Sequence, residues 1–497
     1  MKVRTNTPGH IALTLAALGA CTPTSCIGRE AGGGVTVTSA SEAAADEPPT
    51  PANDSDYPEI VAPNAAAGSA TVSVGLDSRF QTLDGFGAAV AWYEDRIIGE
   101  TPKGVYDLLF PELGLDIVRF RNRDNRKDNS DNHPEQEAEI LKRANQALGR
   151  PLKVLMSAWS PPAALKASQV EKCHNNKDCT LAKENGQFAY QKYADFWFTS
   201  LQHYAKLGVV PDYVSIQNEP DFIPPDWEGC KFEPSETAQY PGYNKALVAV
   251  HAALQKLSPP PKMLGPEVLG IHYNKVQNYL RVMNQDLIFG VAHHLYELGN
   301  DGVWDWRSPG PDSFLDEMQG VAAATRKPLY QTEFQTDDDK GIDGGFETAW
   351  LVHHTMAVEG AVSFIYWDLV WEGAHGLVSM RGKTPKPRDQ YYSMRHFARF
   401  TDPGYIRVAA NSDAKDVLAS AYLSPDEHRV TVVLLNTAKN SMNVRVNAAS
   451  HAATKFSAFR TVYRPGHSKQ WEELKGLTAD SAIDMPARSV VTLVLDK

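Results

Sequence analysis

Short apolar runs alternate with longer amphipathic stretches along most of this chain. Segments 115–120, 152–157, 212–217, 262–266, 287–295, 328–333 and 362–367 are strand-length runs rich in apolar and β-branched residues. Segments 135–148, 186–207, 245–257, 276–283, 315–324 and 345–359 carry apolar positions near helical spacing. At Gln81-Thr82-Leu83-Asp84-Gly85-Phe86-Gly87-Ala88-Ala89 two glycines around Phe86 allow close backbone approach. This repeated strand–helix order predicts the α/β class, in the form of a (β/α)8 TIM barrel; periodicity alone also admits a doubly wound sheet. After about Pro403 the helical pattern stops. Segments 417–422, 430–436, 442–446, 456–463 and 489–495 alternate with period two between polar turns, which predicts an attached antiparallel β-sandwich. Segment 71–76 also alternates, and it is expected to join that sandwich although it precedes the barrel.

The strand ends carry the chemistry. Tyr213-Val214-Ser215-Ile216-Gln217 changes abruptly into Asn218-Glu219-Pro220-Asp221, and proline cannot continue a ladder. Polar and aromatic residues recur at the other strand ends: Arg119, Trp159, His294 with Tyr296, Glu333 and Trp367. In a barrel these ends converge on one face, where ligands bind. The plain alternative for each is structural: a strand that happens to end in a glutamate, or a tryptophan that packs. His293-His294 and His353-His354 invite a metal reading. However, adjacent residues point to opposite sides of a strand and do not share a helix face, so no metal is assigned.

Composition narrows the partner. The chain holds 49 Lys and Arg against 60 Asp and Glu, a net charge of −11. That excess disfavours a nucleic-acid backbone and suits a neutral polymer. At the start, Lys2, Arg4, a short apolar run and Leu18-Gly19-Ala20-Cys21 read as an export signal. Lipidation of Cys21, giving a membrane tether and a surface lipoprotein, and ordinary signal cleavage with free secretion both fit. The expected division is 1–27 signal peptide, 28–68 disordered linker, 69–84 a strand joining the sandwich, 85–400 barrel and 401–497 sandwich, in a monomer. In an exported chain Cys173 and Cys179, flanking a polar loop, suggest a small disulfide-closed loop; a metal site using His174, or a bond to Cys230, is the alternative.

Several motifs, in order and spacing, resemble glycoside hydrolase family 30 over roughly residues 70–497. They are Asp84-Gly85-Phe86-Gly87, Ala158-Trp159-Ser160-Pro161-Pro162, Ser215-Ile216-Gln217-Asn218-Glu219-Pro220-Asp221, His294-Leu295-Tyr296, Thr332-Glu333, Tyr366-Trp367 and Asp402-Pro403-Gly404-Tyr405-Ile406-Arg407-Val408. The resemblance implies a retaining glycosidase with Glu219 as acid/base and Glu333 as nucleophile, and no cofactor. It places Asn218, Trp159, His294, Tyr296, Trp367 and Trp371 at the substrate, with Arg119 supporting Glu333. Segments 222–228 and 226–230 and Gly376-Leu377-Val378 resemble the xylanase branch. That branch often recognises a glucuronate side group with an Arg after the eighth strand. Here the loop reads Asp368-Leu369-Val370-Trp371-Glu372-Gly373-Ala374-His375, without Arg, and Arg381 comes later. The implied activity is therefore cleavage of β-1,4-xylan without dependence on glucuronate branches. The alternatives are a β-1,6-glucanase, a glucosylceramidase-like β-glucosidase and, in another class, a non-catalytic carbohydrate-binding surface lipoprotein.

Overall fold

The structure, a computed structural model, describes residues 68–99, 104–124, 134–296, 312–336, 341–371, 375–380, 384–464 and 469–497. The export signal with Cys21 and Cys26, the linker up to residue 67, and Glu372, Gly373, Ala374 and Arg381 lie outside these residues.

Eight parallel strands close into a barrel. After the long strand β1 (Gly68–Thr82), the barrel strands are β2 (Gly85–Val90), β3 (Ile117–Arg121), β4 (Lys153–Ser157), β5 (Tyr213–Ser215), β6 (Lys262–Val268), β7 (Gly290–His294), β8 (Leu329–Glu333) and β9 (Ser363–Tyr366). β9 pairs with β2, which closes the ring. A closed barrel settles the choice against a doubly wound sheet. Every described residue of β2, β3, β7, β8 and β9 is buried, as expected for strands covered on both faces. Ile117, Leu155, Tyr213, Leu264, Ala292, Tyr330 and Ile365 form one apolar cluster with Val362. They come from the lower part of successive strands and fill the barrel interior, so it is a packed core with no pore. Two positions further up, the same face of β3, β4, β5 and β7 carries Arg119, Ser157, Ser215 and His294.

Strict alternation fails at two places, and both matter. Between β7 and β8, Gln331 pairs with His293 and Glu333 with His294, so a bulge skips Thr332. Between β6 and β7, Pro266 pairs with Ala292 and Val268 with His293, so Glu267 is the extra residue. Bulges re-aim side chains.

The C-terminal part is a nine-stranded sheet. Its strands are β1, β10 (Ile406–Ser412), β11 (Val417–Leu423), β12 (Arg429–Asn436), β13 (Met442–Asn447), β14 (Lys455–Val462), β15 (Lys469–Leu474), β16 (Ala482–Met485) and β17 (Ser489–Asp496). β1 lies inside this sheet, antiparallel to β10 and parallel to β13. A second apolar core including Val72, Val432, Val444, Met485 and Leu493 lies within it. The period-two pattern predicts five of these strands besides β1. It does not predict β10, β15 and β16, whose half-exposed or edge sequences Ile406–Ser412, Lys469–Leu474 and Ala482–Met485 mix charged and small residues.

Helix Asp389–Ala398 joins the two parts. Both ring nitrogens of its buried His396 bond the hydroxyls of Thr492 and Thr461 at 2.8 Å, and Ser393 Oγ meets the Tyr463 hydroxyl at 2.6 Å. Burial and Arg395 hold His396 down to about 3, so it stays neutral and one nitrogen donates while the other accepts. His396→Phe keeps the volume but removes the ring-nitrogen partner of each hydroxyl, leaving Thr492 only its bond to the residue 396 carbonyl. It is expected to cost about 2 kcal/mol of unfolding free energy, seen as a lower urea midpoint with an unchanged slope.

Candidate active site

Glu219 is placed by the chain that leaves β5. Gln217 is fixed by its side-chain bond to the Trp159 carbonyl at 2.7 Å and by the Tyr193 hydroxyl at 3.2 Å. The Asn218 N–H donates to the Ala158 carbonyl, and the Glu219 N–H donates to the Glu267 carbonyl at 3.0 Å. Glu219 itself has φ 46°, in the left-handed region and immediately before proline. That conformation costs a non-glycine residue about 1–2 kcal/mol. The surrounding hydrogen bonds hold it, and it turns the carboxyl toward the barrel axis.

Glu333 ends β8 on the opposite arc of the mouth. Arg119 Nη1 donates to its Oε2 at 2.5 Å, while Arg119 Nη2 reaches Asn218 Oδ1 at 2.6 Å and Glu267 Oε1 at 3.1 Å. Arg119 is fully buried, and its plane lies 4.4 Å from the Trp159 ring centre. His294 Nδ1 is 3.2 Å from Glu219 Oε1 and 4.0 Å from Glu333 Oε1. A carboxylate oxygen of Glu219, one of Glu333 and a His294 nitrogen all lie within 4.8 Å of one another.

The two carboxyls sit in unequal fields. Burial, then the charge of Glu333, raises Glu219 to about 7 against the pull of His294. Burial disfavours the charged form of His294, but Glu333, Glu219 and Glu267 outweigh it and raise the imidazole to about 9. Burial would also raise Glu267, but Arg119 and His294 overcome it and bring the group to about 2. Tyr296, half-buried and bonded to Glu333, has its phenol pushed well up by loss of solvent and by the neighbouring carboxylates. Glu219, His294 and Glu333 are the one cluster of three such side chains, among the described residues, compact enough to face a cation. The proton on His294 and the Arg119 guanidinium already supply positive charge there, so the donor set does not suit a metal.

Around the mouth stand Trp92, Trp159, Trp367 and Trp371. Their ring centres are 5.4–6.0 Å from Trp92, and Trp159 lies 5.8 Å from Trp367. Trp159 and Trp367 are buried, whereas Trp92 and Trp371 are half-buried at the rim. Arg121 lies 3.7 Å over Trp92 and is paired with Glu228 at 3.2 Å.

The structure brings Glu219, Glu333, Arg119, Asn218, His294 and Tyr296 into one contact network, with Trp159, Trp367 and Trp371 beside it. His294, grouped with the substrate contacts on sequence, is fully buried among carboxylates. Both histidines of the His293-His294 pair are buried, and His293 Nε2 bonds Glu359. Three contributors escape the sequence reading: Glu267, Trp92 and the Arg121–Glu228 pair. Glu267 follows Pro266 at a strand end, the same position that singled out Glu219 and Glu333. Ending that strand at Pro266 leaves it one residue outside. Cys173 is disulfide-bonded to Cys179, which removes the metal alternative with His174 and leaves Cys230 a buried free thiol.

Residues 405–493 match the family model described as the glycosyl hydrolase family 30 beta sandwich domain. Over 454 residues the chain is 25% identical to the glucuronoxylanase XynC of Bacillus subtilis, covering 87% of this chain and 93% of the relative. This chain is similar to glycoside hydrolases of family 30 over most of its length. The catalytic domain of a family 30 xylanase C from Talaromyces cellulolyticus superposes with a TM-score of 0.67 at 18% identity, covering 86% of this chain and all of that one. The endo-beta1,6-glucanase BT3312 does so with a TM-score of 0.62 at 18% identity, covering 87% and 96%. Both likenesses concern the fold.

Glu219, raised from 4.5 to about 7, favours the folded protein most below pH 4.5, and that contribution is lost as pH rises through 7. Glu219→Gln is therefore expected to stabilise the fold at pH 8 by up to about 3 kcal/mol, with no gain at pH 4, as read from denaturant midpoints at the two pH values.

Proposed function

We propose that this protein is a retaining β-glycosidase in which Glu333 is the nucleophile and Glu219 the acid/base. The observation that carries the reading is the unequal pair: two carboxyls within 4.8 Å, one bonded to a buried Arg and the other bonded to His294 and raised by burial. Retaining enzymes use carboxyls about 5–5.5 Å apart, too close for a water to attack between them. Arg119 pairs with Glu333 and orients its oxygens, so one can attack the anomeric carbon. Glu219, protonated near neutrality, gives its proton to the leaving oxygen. Once ionised, it takes a proton from water, which releases the sugar from Glu333. His294 supports the ionised form of Glu219 between the two steps. Asn218, held by Arg119, is positioned to bond the sugar hydroxyl next to the reacting carbon. Tyr296 orients Glu333.

The substrate reading is β-1,4-xylan without a requirement for glucuronate branches. XynC carries glucuronoxylanase in its name, which supports the xylan part. Departure from branch dependence rests on residues 368–375, which contain no Arg, and on the half-buried Trp371 beside His375, an apolar face suited to an uncharged sugar. Arg121, which lies over the Trp92 ring, and Arg123 are engaged by Glu228. A second reading, β-1,6-glucan, is favoured by the fold likeness to BT3312. Export is part of the same proposal: a conserved exported protein from Bacteroides fragilis shares the fold, with a TM-score of 0.67.

Glu333→Ala is expected to lower turnover by orders of magnitude, and Glu219→Gln by about 10²–10⁴-fold, with the fold retained; undiminished turnover in either variant would end the assignment. Product profiles on unbranched xylo-oligosaccharides, glucuronoxylan and β-1,6-glucan are expected to show similar cleavage of the first two. Cleavage confined to glucuronate-branched sites, or to the glucan, would refute the substrate reading.

A further inference from the structure

We propose that Glu267 is the positioning residue of the catalytic pair: its buried carboxylate anchors both Arg119 and His294, aiming one at Glu333 and the other at Glu219. The inference rests on the roles proposed above for those two glutamates.

Glu267 has no exposed surface, and it is the extra residue of the bulge between β6 and β7, with φ 64°. A left-handed glutamate is costly, and here it does two things at once. Its carbonyl receives the Glu219 N–H, which fixes the backbone of the acid/base. Its side chain turns inward, where Oε1 lies 3.1 Å from Arg119 Nη2 and 3.9 Å from His294 Nε2, and accepts from the Ser157 hydroxyl at 3.1 Å. The two cations thus share one anchor at their rear while their front atoms, Arg119 Nη1 and His294 Nδ1, contact Glu333 and Glu219. Besides Arg119, His294 and Ser157, the hydroxyl of Ser215 acts on Glu267, and Glu267 acts in turn on the phenol of Tyr243. His294 is faced by Glu333, Glu219 and Glu267.

A charge count gives the anchor its chemical sense. Arg119 and His294 carry two positive charges; Glu267 and Glu333 carry two negative ones. The buried cluster is neutral when Glu219 holds its proton, the state that the first step needs. Without the Glu267 charge the same state carries a net positive charge, which is expelled most readily as the His294 proton. A carboxylate that merely filled space would leave the His294 titration unchanged.

The test is Glu267→Gln in the full-length protein. The His294 imidazole, followed by NMR with labelled histidine, is expected to lose its proton at least about one pH unit lower than in the wild type. On unbranched xylan, kcat is expected to fall about 10²-fold with KM nearly unchanged, because aim is lost and binding is not. Glu267→Asp, which keeps the charge but withdraws it by one methylene, is expected to restore part of both, and it serves alone if the Gln variant does not fold. Wild-type His294 titration in the Gln variant, or in the Asp variant used alone, would overturn the inference. So would a kcat loss that Asp does not relieve at all. Glu219→Gln and Glu333→Ala are measured alongside. If those two retain turnover, the catalytic assignment fails, while the His294 titration still reports on Glu267 as the anchor.

Discussion

The candidate site depends on one buried guanidinium. Arg119 sits inside the barrel with no solvent around it, and burying an unpaired cation there would cost several kcal/mol. Its Nη1 goes to Glu333, and its Nη2 is shared by Asn218 and Glu267. Each partner comes from a different strand end, so four strands must be in register before the charge is compensated. The face of Trp159 covers the guanidinium and ties the network to the aromatic wall. The ion pairs thereby serve as a specification of geometry more than as a source of stability.

Around that cation the barrel departs from ideal strand geometry at three carboxylates. Glu333 follows a skipped residue in β8, Glu267 is the extra residue in β6, and Glu219 takes a left-handed turn before Pro220. Regular alternation would point some of these side chains outward into the helix layer. The hydrogen bonds of Gln217, Asn218 and Glu219 to the neighbouring strand ends hold the distortion at Glu219. Strain at these places is part of how three acids come to share one small volume.

The sandwich bears on the site at a distance. β1 leaves the sandwich at Thr82 and enters the first barrel strand at Gly85, so one continuous backbone crosses from sheet to barrel. Gln81 donates to the Met356 and Ala361 carbonyls and receives Arg407, which couples that crossing to the helix before β9. With the His396 contacts to Thr461 and Thr492 on the other side, the barrel is held at two seams. Gly87 belongs to this region: a Cβ there would lie 2.7 Å from the Ile117 carbonyl, so the first two barrel strands approach as closely as only glycine permits.

Much of this was legible in the sequence by itself. The alternation of apolar runs with amphipathic helices determined a parallel α/β fold, because parallel strands covered on both faces must read as continuous apolar segments, while closure into a barrel was decided by the tertiary structure. Proline after Glu219, and polar residues closing the other runs, marked the strand ends that form the mouth, including Arg119, Glu333 and Trp367. Period-two patterning found those sandwich strands with one buried face, and it failed at Lys469–Leu474, an edge strand with little apolar signal. Only the tertiary structure decided which charges meet. Glu267 lies 48 residues beyond Glu219, and Trp92 comes from the loop after the first barrel strand; neither carries a local signal of its neighbours. Bulges and a left-handed residue also break the period on which side-chain direction is read. The fields acting on Glu219, His294 and Glu267 follow from distances between strands far apart in the chain, because charge interactions inside a protein depend on separation and burial and not on sequence order.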